Sequence, residues 1–163
     1  MSQVQIRTAT LEDLDRVSEV EARCFPPAEA ATRAEFRERL ACYPGHFWLL
    51  EEEGRLVSFV NGMVTDEPHL TDEMYARATL HRESGAWQMI FGVNTLPEFR
   101  RRGLAGLLLR RAISDARAQG RKGLVLTCKE ALVSYYGGFG FVDEGLSPSE
   151  HGGAVWHEMR LTF

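Results

Sequence analysis

Apolar residues recur along this chain with two periods, and the switches between them lay out its elements. Residues 4–8 alternate apolar and polar, as a half-buried strand does. Leu11, Leu14, Val17, Val20 and Cys24 then keep helical spacing behind Thr10-Leu11-Glu12-Asp13, a capping threonine with an acid three residues on. Phe25-Pro26-Pro27 ends that helix, and residues 32–40 predict a second one with Phe36 and Leu40 facing inward. Residues 47–51 and 55–64 read as strands of a hairpin that turns at Glu53-Gly54. Residues 65–86 are polar and weakly patterned, a loop long enough to be functional rather than idle. Residues 87–95 form the central strand. Leu104, Leu107, Leu108, Ala112, Ile113 and Ala116 then stripe a long helix, which Gly120 stops. A buried-type strand at 123–128, a short helix at 132–136 and strands at 139–144 and 154–162 complete an α/β pattern.

Composition narrows the class. A chain of 163 residues fits one domain with a real core, and no linker divides residues 1–163. A formal charge of −4 argues against a general nucleic-acid binder. No apolar run reaches membrane-spanning length, and the first residues lack the apolar core of a signal peptide, so a cytoplasmic protein is expected. Cys24, Cys42 and Cys128 have no metal-ligand spacing; they are expected as reduced, buried thiols, and no metal is expected.

Candidate chemistry concentrates at Arg100-Arg101-Arg102-Gly103-Leu104-Ala105-Gly106, between the central strand and the long helix. The first N–H groups of a helix lack intrahelical partners and the helix dipole favours anions there, so a glycine-rich turn opening into a helix suits phosphate. Three arginines add charge. A P-loop would need Lys and Ser or Thr after its last glycine, where this chain has Leu107-Leu108. A dinucleotide fingerprint would need a glycine at Ala105 and an acid ending the next strand.

Arg100-Arg101-Arg102-Gly103-Leu104-Ala105 fits instead the Gln/Arg-x-x-Gly-x-Gly/Ala turn of the GNAT acetyltransferases. From about Phe47 onward the chain resembles their serotonin (arylalkylamine) N-acetyltransferase branch. Leu80-His81-Arg82 leads into the central strand at that branch's spacing, and Phe99 to Gly103 matches its cofactor turn. The segment from Cys128 to Tyr136, followed by Phe139-Gly140-Phe141, is similar to its Cys-Glu-Asp-Ala-Leu-Val-x-Phe-Tyr segment and is the most specific match. The resemblance implies a GNAT fold, a mixed central sheet of about seven strands flanked by helices. It also implies acetyl transfer from acetyl-CoA to a primary amine by direct attack.

The resemblance further implies roles. Main-chain groups of Arg101, Arg102, Gly103, Leu104, Ala105 and Gly106 hold the cofactor, joined by Val93, Asn94 and Thr95, where the central strand splays from its neighbour. The Val93 N–H polarises the acetyl carbonyl, and Tyr136 protonates the departing thiolate, with Tyr135 left for packing. Phe25, Thr127 and Trp156 line the amine pocket, with Met89 and Phe91 standing where the animal enzymes carry a histidine pair. Neither Met89 nor Phe91 accepts a proton, which leaves the general base open; His81, His69, Glu67 and Glu158 are the substitutes at hand, and Asp66, Glu67, Asp72 and Glu73 could attract a cationic amine. The expected acceptor is a small arylalkylamine or polyamine. A protein or peptide amino group, and a catalytically idle acetyl-CoA-binding module, are the alternatives. A monomer or homodimer is expected, with no nucleic-acid or membrane partner.

Overall fold

The structure, a computed structural model, describes residues 3–163. In chain order the first elements are β1 (Val4–Thr8), α1 (Leu14–Cys24), α2 (Arg33–Cys42), β2 (Phe47–Glu52) and β3 (Arg55–Asn61). Next come β4 (Val64–Thr65), α3 (Asp72–Ala76), β5 (Trp87–Ile90), β6 (Gly92–Thr95) and α4 (Leu104–Ala118). The last are β7 (Gly123–Cys128), α5 (Val133–Gly137), β8 (Val142–Leu146) and β9 (His157–Thr162). One sheet runs β1-β2-β3-β6, all antiparallel; the other runs β4-β5-β7-β9-β8, with β5 and β7 as its parallel pair. This mixed α/β arrangement is the kind the resemblance implies.

The seven strand-like runs of the sequence become nine strands because two of them break. The run at 55–64 breaks at Gly62, whose backbone passes so close to β5 that a Cβ there would lie 1.8 Å from the Met89 carbonyl oxygen. The run at 87–95 breaks at Phe91, and its two halves join different sheets. The polar stretch 65–86 is not plain loop, since it carries α3 and a short 3-10 turn at Ala78–Leu80. Leu107 leaves the predicted stripe of α4 and is 46% exposed, while Leu109 takes the inner position. Cys42 is exposed rather than buried.

Local signals explain the well-placed boundaries. Thr10 and Asp13 close a capping box, and Thr32 and Glu35 close another at the start of α2. Glu53 (φ 51°) and Gly54 (φ 82°) both take the left-handed conformation that a two-residue hairpin turn requires. Strand β2 is covered on both faces. Phe47 stacks on Phe59 and meets Phe36 of α2 edge-on, while its neighbour Trp48 donates Nε1–H to Asp115 of α4 at 2.8 Å. Successive strand residues face opposite ways, so α2 and α4 sandwich this sheet. Truncating Phe59, fully buried, would cost about 3–5 kcal/mol.

Candidate active site

The break at Phe91 opens the molecule at its centre. Parallel pairing of β5 with β7 runs from Trp87–Gly123 to Ile90–Leu126 and stops. Beyond it β6 pairs only with β3, while β7 continues through Thr127 and Cys128. The Leu96 N–H donates to the Val57 carbonyl at 2.9 Å. Antiparallel ladders alternate, so the pair of Phe59 and Asn94 bonds next, and Val93 and Thr95 turn their main-chain groups away from β3. The Thr95 carbonyl is already taken, by Arg100 Nε at 3.0 Å and Cys24 Sγ at 3.3 Å. Val93 faces the gap between β6 and β7. Asn94, expected among the cofactor contacts, is turned elsewhere: its carbonyl accepts from Ser58 Oγ at 2.6 Å and its side chain serves α1.

After β6 the glycine turn gathers unpaired N–H groups into a cup. Arg101 (φ 63°) and Gly103 (φ 75°) alternate with right-handed or extended neighbours, a geometry that points successive N–H groups into one concavity. Gly103 suits its position for this reason, since a Cβ there meets no neighbour but the φ disfavours other residues. The amides of Arg101 through Gly106 have no backbone acceptor among the described residues; the first paired one is Leu107, on Gly103 O at 3.2 Å. The three arginines do not act together. Arg102 is bidentate on Glu52 at 2.6 and 3.0 Å and Arg100 holds Thr95, which leaves the exposed Arg101 as the side chain without a described partner.

A cavity of about 310 Å³ spans the gap. Phe25, Phe91, Val93, Thr127, Tyr136 and Trp156, expected at the site, all line it. Met89 does not, because it sits wholly buried one alternation below the break. Tyr136 on α5 is 7% exposed and meets Phe141 edge-on. Burial pushes its hydroxyl well above the usual phenol range, so it keeps its proton at neutral pH. Tyr135, read as the packing residue, is the exposed one at 43%.

The groups proposed to replace the missing base lie elsewhere. His81 accepts from the Val64 N–H at Nδ1 (3.0 Å), so its remaining proton sits on Nε2, against Glu83. His69 pairs with Glu158 at 2.7 Å, and Glu67 is exposed. The acids of residues 66–73 are similarly engaged. Asp66 takes Ala86 N, Asp72 takes Ser149 and Glu150, and Glu73 pairs with Arg77. None of these lines the cavity.

The cavity holds polar groups that the sequence reading passed over. Glu21 of α1 is 7% exposed and accepts from Asn94 Nδ2 at 2.5 Å and Ala31 N at 2.8 Å. Burial in this setting raises its pKa, against the smaller opposing effect of those two donors. Arg39 of α2, Tyr75 of α3 and His151 also line the cavity, as do Glu35 and the ion pair of Glu29 with Lys129, with Tyr75 stacked on His151 at 4.6 Å and tilted against Phe91 at 4.8 Å. The signal for Glu21 and Arg39 was present: each is a charge on the apolar face of its helix, Glu21 four residues after Val17 and Arg39 three after Phe36.

Comparison with known proteins agrees with this fold. Residues 14–141 match the acetyltransferase (GNAT) family. The chain is 30% identical over 163 residues to serotonin N-acetyltransferase of Mesocricetus auratus, covering 98% of this chain and 77% of that protein. Among solved structures, the loading GNATL domain of CurA from Lyngbya majuscula superposes with a TM-score of 0.85 at 20% identity, covering 98% of both chains. GphF, a GNAT-like decarboxylase in complex with isobutyryl-CoA, gives 0.81 at 24% identity, covering 97% of this chain and 98% of that one. The chain belongs to the GNAT acetyltransferase family and is an acyltransferase. No helix among the described residues is long and apolar enough to cross a membrane.

Proposed function

We propose that this enzyme transfers the acetyl group of acetyl-CoA to the primary amine of a small molecule, by direct attack within a ternary complex. The observation that carries the reading is the gap between β6 and β7, where the main chain of Val93 and the hydroxyl-bearing Tyr136 share one cavity and the amide cup opens at the end of β6. In this reading the cup holds the diphosphate, and the pantetheine arm lies along β6. The Val93 N–H donates to the thioester oxygen as it gains charge. The amine lone pair forms the new C–N bond, the C–S bond breaks, and the thiolate takes the proton of Tyr136. The proton lost by nitrogen passes, through water, to Glu21.

A base matters because an amine of pKa about 10 is only about 0.1% neutral at pH 7, roughly 4 kcal/mol short of full availability. Glu21 lines the cavity, and its burial raises its pKa, which suits it to take that proton. Aromatic walls support a small acceptor over a peptide: Tyr75, from the segment 65–86, lines the cavity together with Trp156 and Phe25. Titration calorimetry with acetyl-CoA, followed by thiol release across an amine panel, tests the reading. Micromolar binding with turnover on small amines is expected; binding without turnover on any amine would leave only an idle acetyl-CoA-binding module.

A further inference from the structure

The acceptor side of the cavity holds a cation with no anion of its own. Arg39 is 3% exposed. Of its five N–H groups, one at Nη1 reaches Asn61 Oδ1 at 3.2 Å and one at Nη2 reaches the Tyr75 carbonyl at 2.9 Å. Its Nε is buried without an acceptor, and it forms no ion pair among the described residues. The rings of Phe36 and Phe91 flank the guanidinium at 5.2 and 5.1 Å. These rings and two neutral oxygens offset only part of what a guanidinium loses on leaving water.

An arginine held this way and lining a cavity is a receptor for an anion, and its planar fork matches a carboxylate. Glu21 lines the same cavity and feels the Arg39 charge without touching it. A ligand that satisfies both presents an amino group to one and a carboxylate to the other. The geometry points to an amino acid, rather than a decarboxylated amine, as the acceptor, with its carboxylate on Arg39, its amino group toward Glu21 and Val93, and an apolar side chain against Phe25, Tyr75 and Trp156. This inference rests on reading the cavity as the amine site, and it names the class of amine.

Acceptor pairs that differ only by the carboxylate test it: tryptophan against tryptamine, and phenylalanine against phenethylamine. In the wild type kcat/KM is expected to favour the amino acid by at least about tenfold, mainly through KM. In Arg39→Met that ratio falls to one or below, and Arg39→Lys lies between. Thermal melting accompanies the kinetics, and Arg39→Met is expected to melt no lower than the wild type, because it removes an unpaired buried charge. If Arg39→Met does not fold, the wild-type ratio decides alone, and a preference for the decarboxylated partner overturns the inference.

Calorimetry with N-acetyltryptophan and N-acetyltryptamine, in the presence of CoA, reads the same site without turnover. Arg39-dependent binding of the former with no acetylation would keep the carboxylate site and remove the transfer reaction. Turnover that ignores both the carboxylate and Arg39 would do the reverse. The other source of a carboxylate is the acyl group. Malonyl-CoA binding that weakens in Arg39→Met while acetyl-CoA binding does not would move the anion to the donor and overturn the proposal.

Discussion

Asn94 donates its side-chain amide to Glu21 at 2.5 Å, tying the split strand β6 to the last turns of α1. Because Asn94 points its main chain at β3, its side chain is free to aim the carboxylate. The other oxygen of Glu21 is fixed by the Ala31 amide, just before α2. One helix, a strand and the segment before α2 thus orient one acid in the cavity.

Glu21→Gln is expected to lower kcat/KM by about 10²–10⁴-fold, the usual contribution of a positioned base. The sign of the pH effect follows from burial. The pKa of Glu21 is raised, the base works only when ionised, and activity therefore climbs as pH rises through that raised value. Glu21→Gln loses this limb. Asn94→Ala, which removes a bond that favours the charged carboxylate, moves the limb to higher pH. A pH profile of kcat/KM reads both, and an unchanged limb in Glu21→Gln would remove Glu21 from the chemistry.

Tyr136→Phe keeps the edge-on packing with Phe141 and removes only the proton. A fall of about 10²–10³-fold in kcat, with acetyl-CoA affinity nearly unchanged, is expected in a thiol-release assay.

The arginines of the turn separate by function. Arg101→Ala is expected to weaken acetyl-CoA binding several-fold, with a shallower salt dependence than the wild type. Arg102→Ala is expected to lower the melting temperature instead, since its guanidinium is committed to Glu52. Equal losses of affinity in the two variants would contradict the assignment.

Far from the cavity, Asp13 is 2% exposed and accepts from Arg7 at 2.7 and 2.9 Å, Arg16 at 2.5 Å and Thr10 N at 2.9 Å. Burial alone would raise its pKa, but these donors together hold it far below the usual carboxylate range. Asp13→Asn is expected to cost about 2–3 kcal/mol at pH 7, less than a fully buried pair because both arginines are partly exposed. The folded pKa is depressed, so the stabilisation is complete above the ordinary aspartate value and is lost as pH falls below about 4. Denaturant melts of both proteins at pH 7 and pH 3 should show the difference narrowing in acid.

Local chemistry was legible in the sequence wherever a few neighbouring residues decide the outcome. The capping box at Thr10, the Glu53-Gly54 hairpin and the glycine turn each follow from short-range rules. Phe25, Phe91, Val93, Thr127, Tyr136 and Trp156 were named from motif and register, and the fold brings them to one cavity. The misses depend on partners distant in the chain. Arg102 reads as a phosphate ligand until Glu52, fifty residues earlier, is seen to hold it. His81 reads as a base until Val64 takes its Nδ1. Glu21 and Arg39 break the apolar faces of their helices, a local signal whose meaning needs the cavity between α1, α2 and β6.

Strand β6 is an edge placed in the middle of a protein, paired with β3 on one flank and met by no strand on the other among the described residues. Proteins usually blunt or cover such edges. In the proposed reading the pantetheine arm of the donor covers this flank, its amides imitating a peptide, so each catalytic cycle would finish the sheet and then undo it. Thermal resistance should accordingly track acyl-CoA concentration, gaining about 2.7 kcal/mol at a hundredfold excess over Kd. On that reading, the enzyme without its donor is one strand short.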